Sequence, residues 1–320
     1  MKIGIIQTSE GSNLAAIHGD GWVSIPNALC VLGEPSVNEM AAFIDVWCDR
    51  IPELNDRITQ LVLKGRTETY PLAGAKFLPP LPTSPKLLTS RGNSCLHKRV
   101  RRSPISAQPS MDHRYNFNLV GHNSVYYIGG SGPEFTDIGW NYEMVVVMGK
   151  PCHGVPQEHV DDYIFGYTNM LDVGGGFFSP FYKQWITPEE EKIFDDYAYE
   201  DSFNGNARAQ IPVGPWITTK DEVGDPHDQL IEERESGRLV SLGSAQAVVW
   251  TIPEMVAYAS GFMLLEPGDM ISTASITYDG YNTYPGKYPK NAYIQGGAEK
   301  LGTLRMWIRD ERKENCREAK

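Results

Sequence analysis

The chain predicts a β-rich α+β fold, with a small domain at the N-terminus. Three observations carry that prediction. Short β-like runs dominate from Leu119 onward, at 124–128, 143–149, 211–217, 238–241, 247–252, 269–277 and 303–308. The clearest helical stripe is confined to the first quarter of the chain. Between the two regions Pro79, Pro80, Pro82 and Pro85 make a stiff connector. A small α/β domain over 1–75 and a larger domain over 76–320 follow from that change of composition.

In the first region, residues 2–7 read as a strand and residues 13–25 as a hairpin turning at Gly19-Asp20-Gly21. The opening Met1-Lys2-Ile3-Gly4-Ile5-Ile6 resembles the start of a dinucleotide-binding unit. The next turn, Thr8-Ser9-Glu10-Gly11-Ser12, lacks the G-x-G-x-x-G fingerprint, which excludes that reading. Over 37–65, Ile44, Trp47, Ile51, Leu54, Ile58 and Leu61 recur at steps of three and four, as one apolar helix face does. Pro52 splits or kinks that segment. Further on, 86–118 is polar, basic and without periodicity, which predicts a long loop or lid. Helices are expected at 156–165 and 253–261, where Pro156 and Pro253 stand near the starts. Residues 188–201 form an acidic stretch that reads as a solvated helix or flap.

Bulk properties exclude several classes of function. With 320 residues, the chain is long enough to bury a sizeable core. Its net charge of −11 argues against nucleic acid or an acidic membrane surface as a partner. Cys30, Cys48, Cys95, Cys152 and Cys316 are scattered, with no C-x-x-C pair, so reduced thiols and a cytoplasmic location are expected. No secretory signal pattern opens the chain, and no apolar run is long enough to span a bilayer.

Residues 140–172 carry the chemistry. Trp140-Asn141-Tyr142-Glu143 opens an apolar run, and Asp172 follows a Gly166-Tyr167-Thr168 turn. Hard cations take carboxylate oxygens as ligands, so Glu143 and Asp172 are candidate metal ligands. Spacing alone favours two unrelated polar residues at strand ends, because paired acids this far apart are common. No G-x-S-x-G elbow and no triad-like Cys–His pairing is present, which leaves serine and thiol catalysis without support.

Five blocks in order resemble the fumarylacetoacetate hydrolase superfamily. They are the leading segment to Ile25, the Pro-rich FLPPLPTSPKLL, NYEMVVVMGK with HVDDYIFGYTNMLDV, PVGPWITTKDEVGDPHD, and LLEPGDMISTAS. The resemblance covers most of the chain. It implies a mixed β-sandwich roll, a homodimer, and a divalent cation, Mg²⁺ or Mn²⁺, held by three acids. Two of those acids alternate on a strand and so share one face. Here Asn141 stands at the first position, Glu143 at the second and Asp172 at the third. An amide oxygen can ligate but brings no charge, so the metal is expected to bind weakly or to be lost.

The same resemblance makes His97 the acid–base residue. Val100 stands where the family has the Glu that polarises water with that histidine. The family's Lys before Gly214-Pro215-Trp216 is absent; Arg208 and Gln210 are the nearest candidates for contact with the substrate. The Arg that follows the third acid in the family is missing too. Thr273 and Ser275 match the hydroxyl positions near the substrate, and both are also ordinary strand hydroxyls. The basic run Lys98, Arg99, Arg101 and Arg102 reads either as a solvated loop or as a lid whose arginines grip a carboxylate.

The implied function is an enzyme that stabilises an enolate on a 1,3-dicarbonyl or oxo-carboxylate, as a C–C hydrolase, decarboxylase or isomerase. The missing Glu argues against simple hydrolysis. Two alternatives stay open: a metal-independent cyclase or dehydratase on a neutral polyketide-like substrate, and a non-catalytic binding protein on a degenerate fold.

Overall fold

The computed structural model describes residues 1–82, 86–101, 105–114, 118–128, 138–175, 210–275, 282–283 and 291–310. The acidic stretch 188–201 lies outside them, as do Arg102 and Arg208.

The N-terminal region follows its hydrophobic pattern. Strands β1 (Lys2–Thr8), β2 (Gly11–His18) and β3 (Gly21–Ser24) form an antiparallel meander, with the expected turn at Gly19-Asp20. Helix α1 (Ile25–Leu32) follows directly; the sequence reading missed it. Ser24 caps it by accepting the Asn27 N–H at 3.3 Å, and Pro26 sits in its first turn. The 37–65 segment divides into α2 (Met40–Trp47), a 3₁₀ turn at Cys48–Arg50, and α3 (Ile51–Leu63). Pro52 lies in the first turn of α3, so the break falls just before the proline. Short strands β4 (Tyr70–Pro71) and β5 (Lys76–Leu78) complete this part.

The described residues between 86 and 118 are more ordered than their composition suggested. They hold β6 (Leu87–Ser90), helix α4 (Cys95–Arg101) and β7 (Met111–Arg114). Tertiary pairing overrides weak local periodicity here, because β6 pairs with a strand some 180 residues away in sequence. Strands β8 (Leu119–Val120), β9 (Ser124–Ile128), β10 (Ile138–Met148), β11 (Ile164–Gly175) and β12 (Ile211–Thr219) follow. The supposed Gly166-Tyr167-Thr168 turn is an interior part of β11. It carries a register shift against β12 between Tyr167 and Asn169, which accounts for its irregular sequence. The helix expected at 156–165 is a 3₁₀ helix, Gln157–Tyr163.

Toward the C-terminus come β13 (Leu230–Glu235), β14 (Arg238–Ser244), helix α5 (Ile252–Phe262), β15 (Met270–Ser272), β16 (Asn282–Thr283), β17 (Ala292–Ala298) and β18 (Gly302–Asp310). The expected strand at 247–252 is absent; Thr251 is instead the N-cap of α5, in a capping box with Glu254. The expected strand over 269–277 stops at Ser272, where a left-handed residue, Ala274, turns the chain.

The strands make two sheets. One has thirteen strands, with the central order β4-β3-β2-β1-β12-β11-β10-β15-β6-β7; the other has five, in the order β14-β13-β17-β18-β9. The expected β-rich roll is thus observed. The central strand β10 is buried on both faces. Trp140, Tyr142, Met144, Val146 and Met148 pack toward the five-stranded sheet, whereas Val145 and Val147 join Phe43, Ile44, Trp47, Leu54 and Ile58 of the N-terminal helices. Near the end of the face that carries Val145 and Val147, the apolar side chains give way to polar ones.

Candidate active site

On β10 the alternation that turns Val145 and Val147 toward the helices turns Asn141 and Glu143 the same way. Asp172 lies on the adjacent strand β11, directly opposite Asn141 in the antiparallel register. Side chains opposed in this way have Cβ atoms about 4.5–5.5 Å apart. Asn141, Glu143 and Asp172 are all buried, at 4, 4 and 7 % exposure. The three residues singled out as metal ligands therefore share one buried patch.

The other flank of β10 extends that patch. Ser272 of β15 pairs opposite Val145, and its hydroxyl donates a short hydrogen bond to Glu143 Oε2. The Ser272 hydroxyl oxygen in turn accepts the Ala274 N–H at 3.3 Å. Thr89 of β6 lies beside Ser272 in the parallel register, and Arg114 of β7 lies opposite Leu87, two residues from Thr89. Arg114 Nε donates to Thr89 Oγ1 at 3.2 Å, and its Nη2 stands 3.6 Å from Asp172 Oδ2. Arg114 is buried, so this cation belongs to the site rather than to the surface. The sequence reading missed it. Its surroundings, Asp112-His113-Arg114, show no alternation, and only the strand pairing brings it to Asp172.

Asn141 Oδ1 is buried and has no hydrogen-bond partner. A buried acceptor without a donor is costly unless something positive occupies its lone pairs. Two carboxylates and one orphaned amide oxygen on adjacent strands match the oxygen donors that a hard divalent cation takes. With asparagine at the first of the three positions, no group of three or more His, Cys, Asp or Glu suited to a metal occurs among the described residues. Arg114 offsets part of the remaining negative charge, so the pull on a cation is weaker than three acids would exert.

Thr273 and Ser275 are buried next to Ser272. The Thr273 N–H donates to Met144 O at 2.8 Å, tying this segment to β10, and its hydroxyl donates to Ala274 O at 3.3 Å. Asn93, fully buried, donates through Nδ2 to Thr273 O at 3.2 Å and to Trp250 O at 3.0 Å, while its Oδ1 accepts the Trp250 N–H at 2.7 Å. Asn93 thereby fixes the chain just before α4 against the segment that carries Thr273. His97, Arg99 and Arg101 lie on α4, where a loop was expected; Arg99 is exposed. Gln210, half-buried, precedes β12, and its Oε1 is a further buried acceptor without a partner.

Lys86 forms a second polar anchor, with ion pairs to Asp269 at 2.9 Å and Glu266 at 2.8 Å. Burial raises the Asp269 carboxyl above its usual range, against the lowering effect of Lys86. The Asp269 carbonyl accepts the Met148 N–H at 2.9 Å, so this pair sets β15 beside β10. A groove of about 700 Å³ lined by Phe77, His122 and Trp216 contains none of the site residues named above.

Residues 99–308 match the family model described as fumarylacetoacetate (FAA) hydrolase C-terminal. The chain is 25% identical over 250 residues to the mitochondrial oxaloacetate tautomerase Fahd2a of Rattus norvegicus, covering 77% of this chain and 74% of that one. It is 27% identical over 215 residues to the 2,4-didehydro-3-deoxy-L-rhamnonate hydrolase of Sphingomonas sp. (strain SKA58), covering 65% and 68% of the two chains. In fold it is similar to maleylpyruvate hydrolase from Sphingobium sp. SYK-6, solved with manganese(II) and pyruvate. The TM-score is 0.71 at 21% identity, with 97% of this chain and 99% of that one covered. No helix among the described residues is long and apolar enough to cross a membrane. With two thirds of its length matched by the family model and its strands in the arrangement described, the chain belongs to the fumarylacetoacetate hydrolase superfamily of enzymes.

Proposed function

We propose that the protein forms and reprotonates an enolate on a small 2-oxo acid or 1,3-dicarbonyl substrate, as a tautomerase or isomerase. The observation that carries this reading is the shared buried face of Asn141, Glu143 and Asp172, with Asn141 Oδ1 unpartnered. Those three side chains would hold a divalent cation, Mg²⁺ or Mn²⁺. When bound, the cation supplies Lewis-acid polarisation of a carbonyl oxygen.

The protein's own groups do the rest. Ser272 donates to Glu143 and so fixes the orientation of that carboxylate. In place of the family's Lys, Arg114 offers a planar fork that can grip the carboxylate of an oxo-acid substrate. Thr273, Ser275, Gln210 and the basic residues Arg99, Arg101 and Arg208 are further candidate substrate contacts. His97, on α4, is proposed to carry the proton between carbon and solvent. Val100 stands where the family has the Glu that polarises water, which favours tautomerisation over C–C hydrolysis. The Sphingobium relative's manganese and pyruvate support an oxo acid as the substrate class. The protein is proposed to act as a cytoplasmic homodimer.

A second reading rests on the Arg114–Asp172 contact. A guanidinium beside that carboxylate can balance the site's charge without a metal, as a metal-independent cyclase or dehydratase would require.

Deuterium exchange at the pyruvate methyl group tests the first reading. Protein with Mn²⁺ in D₂O should exchange these protons well above a control with Mn²⁺ alone. Exchange that is equally fast without added metal, and after chelation, would favour the second reading. Exchange no faster than the control, for pyruvate and oxaloacetate alike, would refute enolisation.

A further inference from the structure

Ala274 adopts a backbone conformation that alanine rarely takes. Its φ is +62°, in the left-handed region where a Cβ crowds the following carbonyl oxygen and glycine does not. Strain of this kind persists where the surroundings over-determine it, and it concentrates at ligand sites. The surroundings here are specific. The Ala274 N–H donates to Ser272 Oγ, the hydroxyl that itself donates to Glu143, and the Ala274 carbonyl accepts from Thr273 Oγ1.

The methyl group needs its own explanation, since a glycine would make the same backbone bonds with less strain. Ala274 is 5% exposed, yet it belongs to none of the three apolar clusters found among the described residues. Its neighbours in sequence are Ser272, Thr273 and Ser275, all polar and all buried. The Ser272 hydroxyl bridges the Ala274 N–H and Glu143 Oε2, so position 274 is linked to that carboxylate through a single side chain. The methyl is therefore an apolar group set into a polar site, on a backbone that resists it.

We propose that Ala274 is a specificity-determining residue: its methyl group limits how bulky a substrate can be beside Glu143. This rests on the oxo-acid reading for the choice of ligands, though the size limit can be measured by binding alone. One methyl group in a pocket discriminates by roughly tenfold or more.

The test compares wild type with Ala274→Gly on pyruvate, 2-oxobutyrate and 3-methyl-2-oxobutyrate, each with Mn²⁺. Both binding, by calorimetry, and C3 deuterium exchange are measured. Wild type should favour pyruvate over 3-methyl-2-oxobutyrate, and Ala274→Gly should shrink that preference roughly tenfold. The variant should also melt about 2–4 °C higher, since glycine relieves the strain and the fold is not at risk. A binding preference that is the same in both proteins overturns the proposal, whatever the melting temperature does. If neither protein catalyses exchange but the binding preference still shrinks, the size limit stands and the enolisation reading falls. Binding of none of the three acids by either protein overturns both.

Discussion

Asn141 and Asp172 stand directly opposite one another across β10 and β11, and the Asn141 amide oxygen has no partner. An acid at position 141 would complete a set of three with Glu143 and Asp172 on one buried patch. Asn141→Asp should therefore bind Mn²⁺ at least tenfold more tightly than wild type, read by calorimetry or by the loss of the free-ion spin-resonance signal. It should also be less stable than wild type when metal is withheld, because three buried acids would repel one another. Equal Mn²⁺ affinity in the two proteins would show that position 141 does not face a cation.

The proton carrier proposed here is His97. Removing a general acid or base costs on the order of 10²–10⁴ in rate. His97→Ala should slow deuterium exchange of pyruvate within that range and leave Mn²⁺ affinity within twofold. An unchanged exchange rate would remove His97 from the chemistry.

Asn93 makes three hydrogen bonds that join the residues before α4 to Trp250 and Thr273. Asn93→Ala leaves buried backbone groups unpaired, at about 1–3 kcal/mol each for those that find no water. The expected result is a lower melting temperature together with a fall in exchange rate larger than the fall in pyruvate affinity, since α4 carries His97. Loss of stability with an unchanged rate would make Asn93 a packing residue only.

Much of this arrangement was legible in the sequence. Periodicity located the Trp47–Leu61 face, and alternation put Asn141 and Glu143 on one side of β10. Strand pairing was not legible: β6 and β7 were hidden in a polar segment because their partners are β15 and each other, not local neighbours. Arg114 was missed for the same reason. Its role depends on Asp172, 58 positions later in the chain, and nothing within a few residues of it signals that contact. The Gly166-Tyr167-Thr168 segment read as a turn because glycine usually marks one. Here Gly166 sits against the β12 backbone, where a Cβ would lie 2.4 Å from Thr218 O.

His122 provides a pH prediction away from the site. Burial, helped by the charge of Arg305, lowers its pKa from 6.5 to about 4, and its Nδ1 accepts the Arg305 N–H at 3.3 Å. The folded state thus binds this proton less readily than the unfolded state. Its contribution is complete above pH 6.5 and is lost as pH falls toward about 4. The loss is on the order of 3 kcal/mol at most. His122→Gln should flatten the decline in melting temperature across that window relative to wild type. Parallel curves for the two proteins would mean that His122 titrates normally.

Arg114 and a divalent cation make opposing demands on Asp172. The guanidinium lies 3.6 Å from the carboxylate in a buried setting, where a charge-assisted contact is worth about 1.5–3 kcal/mol. Arg114→Gln should lower stability by about that amount without metal. It should also raise the site's affinity for Mn²⁺, because one positive charge is gone. Added Mn²⁺ should then raise the melting temperature of the variant more than that of wild type, as binding to the folded state alone requires. At the same time the variant should bind pyruvate more weakly, roughly tenfold to a hundredfold, if Arg114 grips the substrate carboxylate. The two effects separate the residue's roles. Tighter Mn²⁺ with unchanged pyruvate binding would make Arg114 a charge balance for Asp172 and nothing more. Weaker pyruvate with unchanged Mn²⁺ would place it on the substrate, away from the cation.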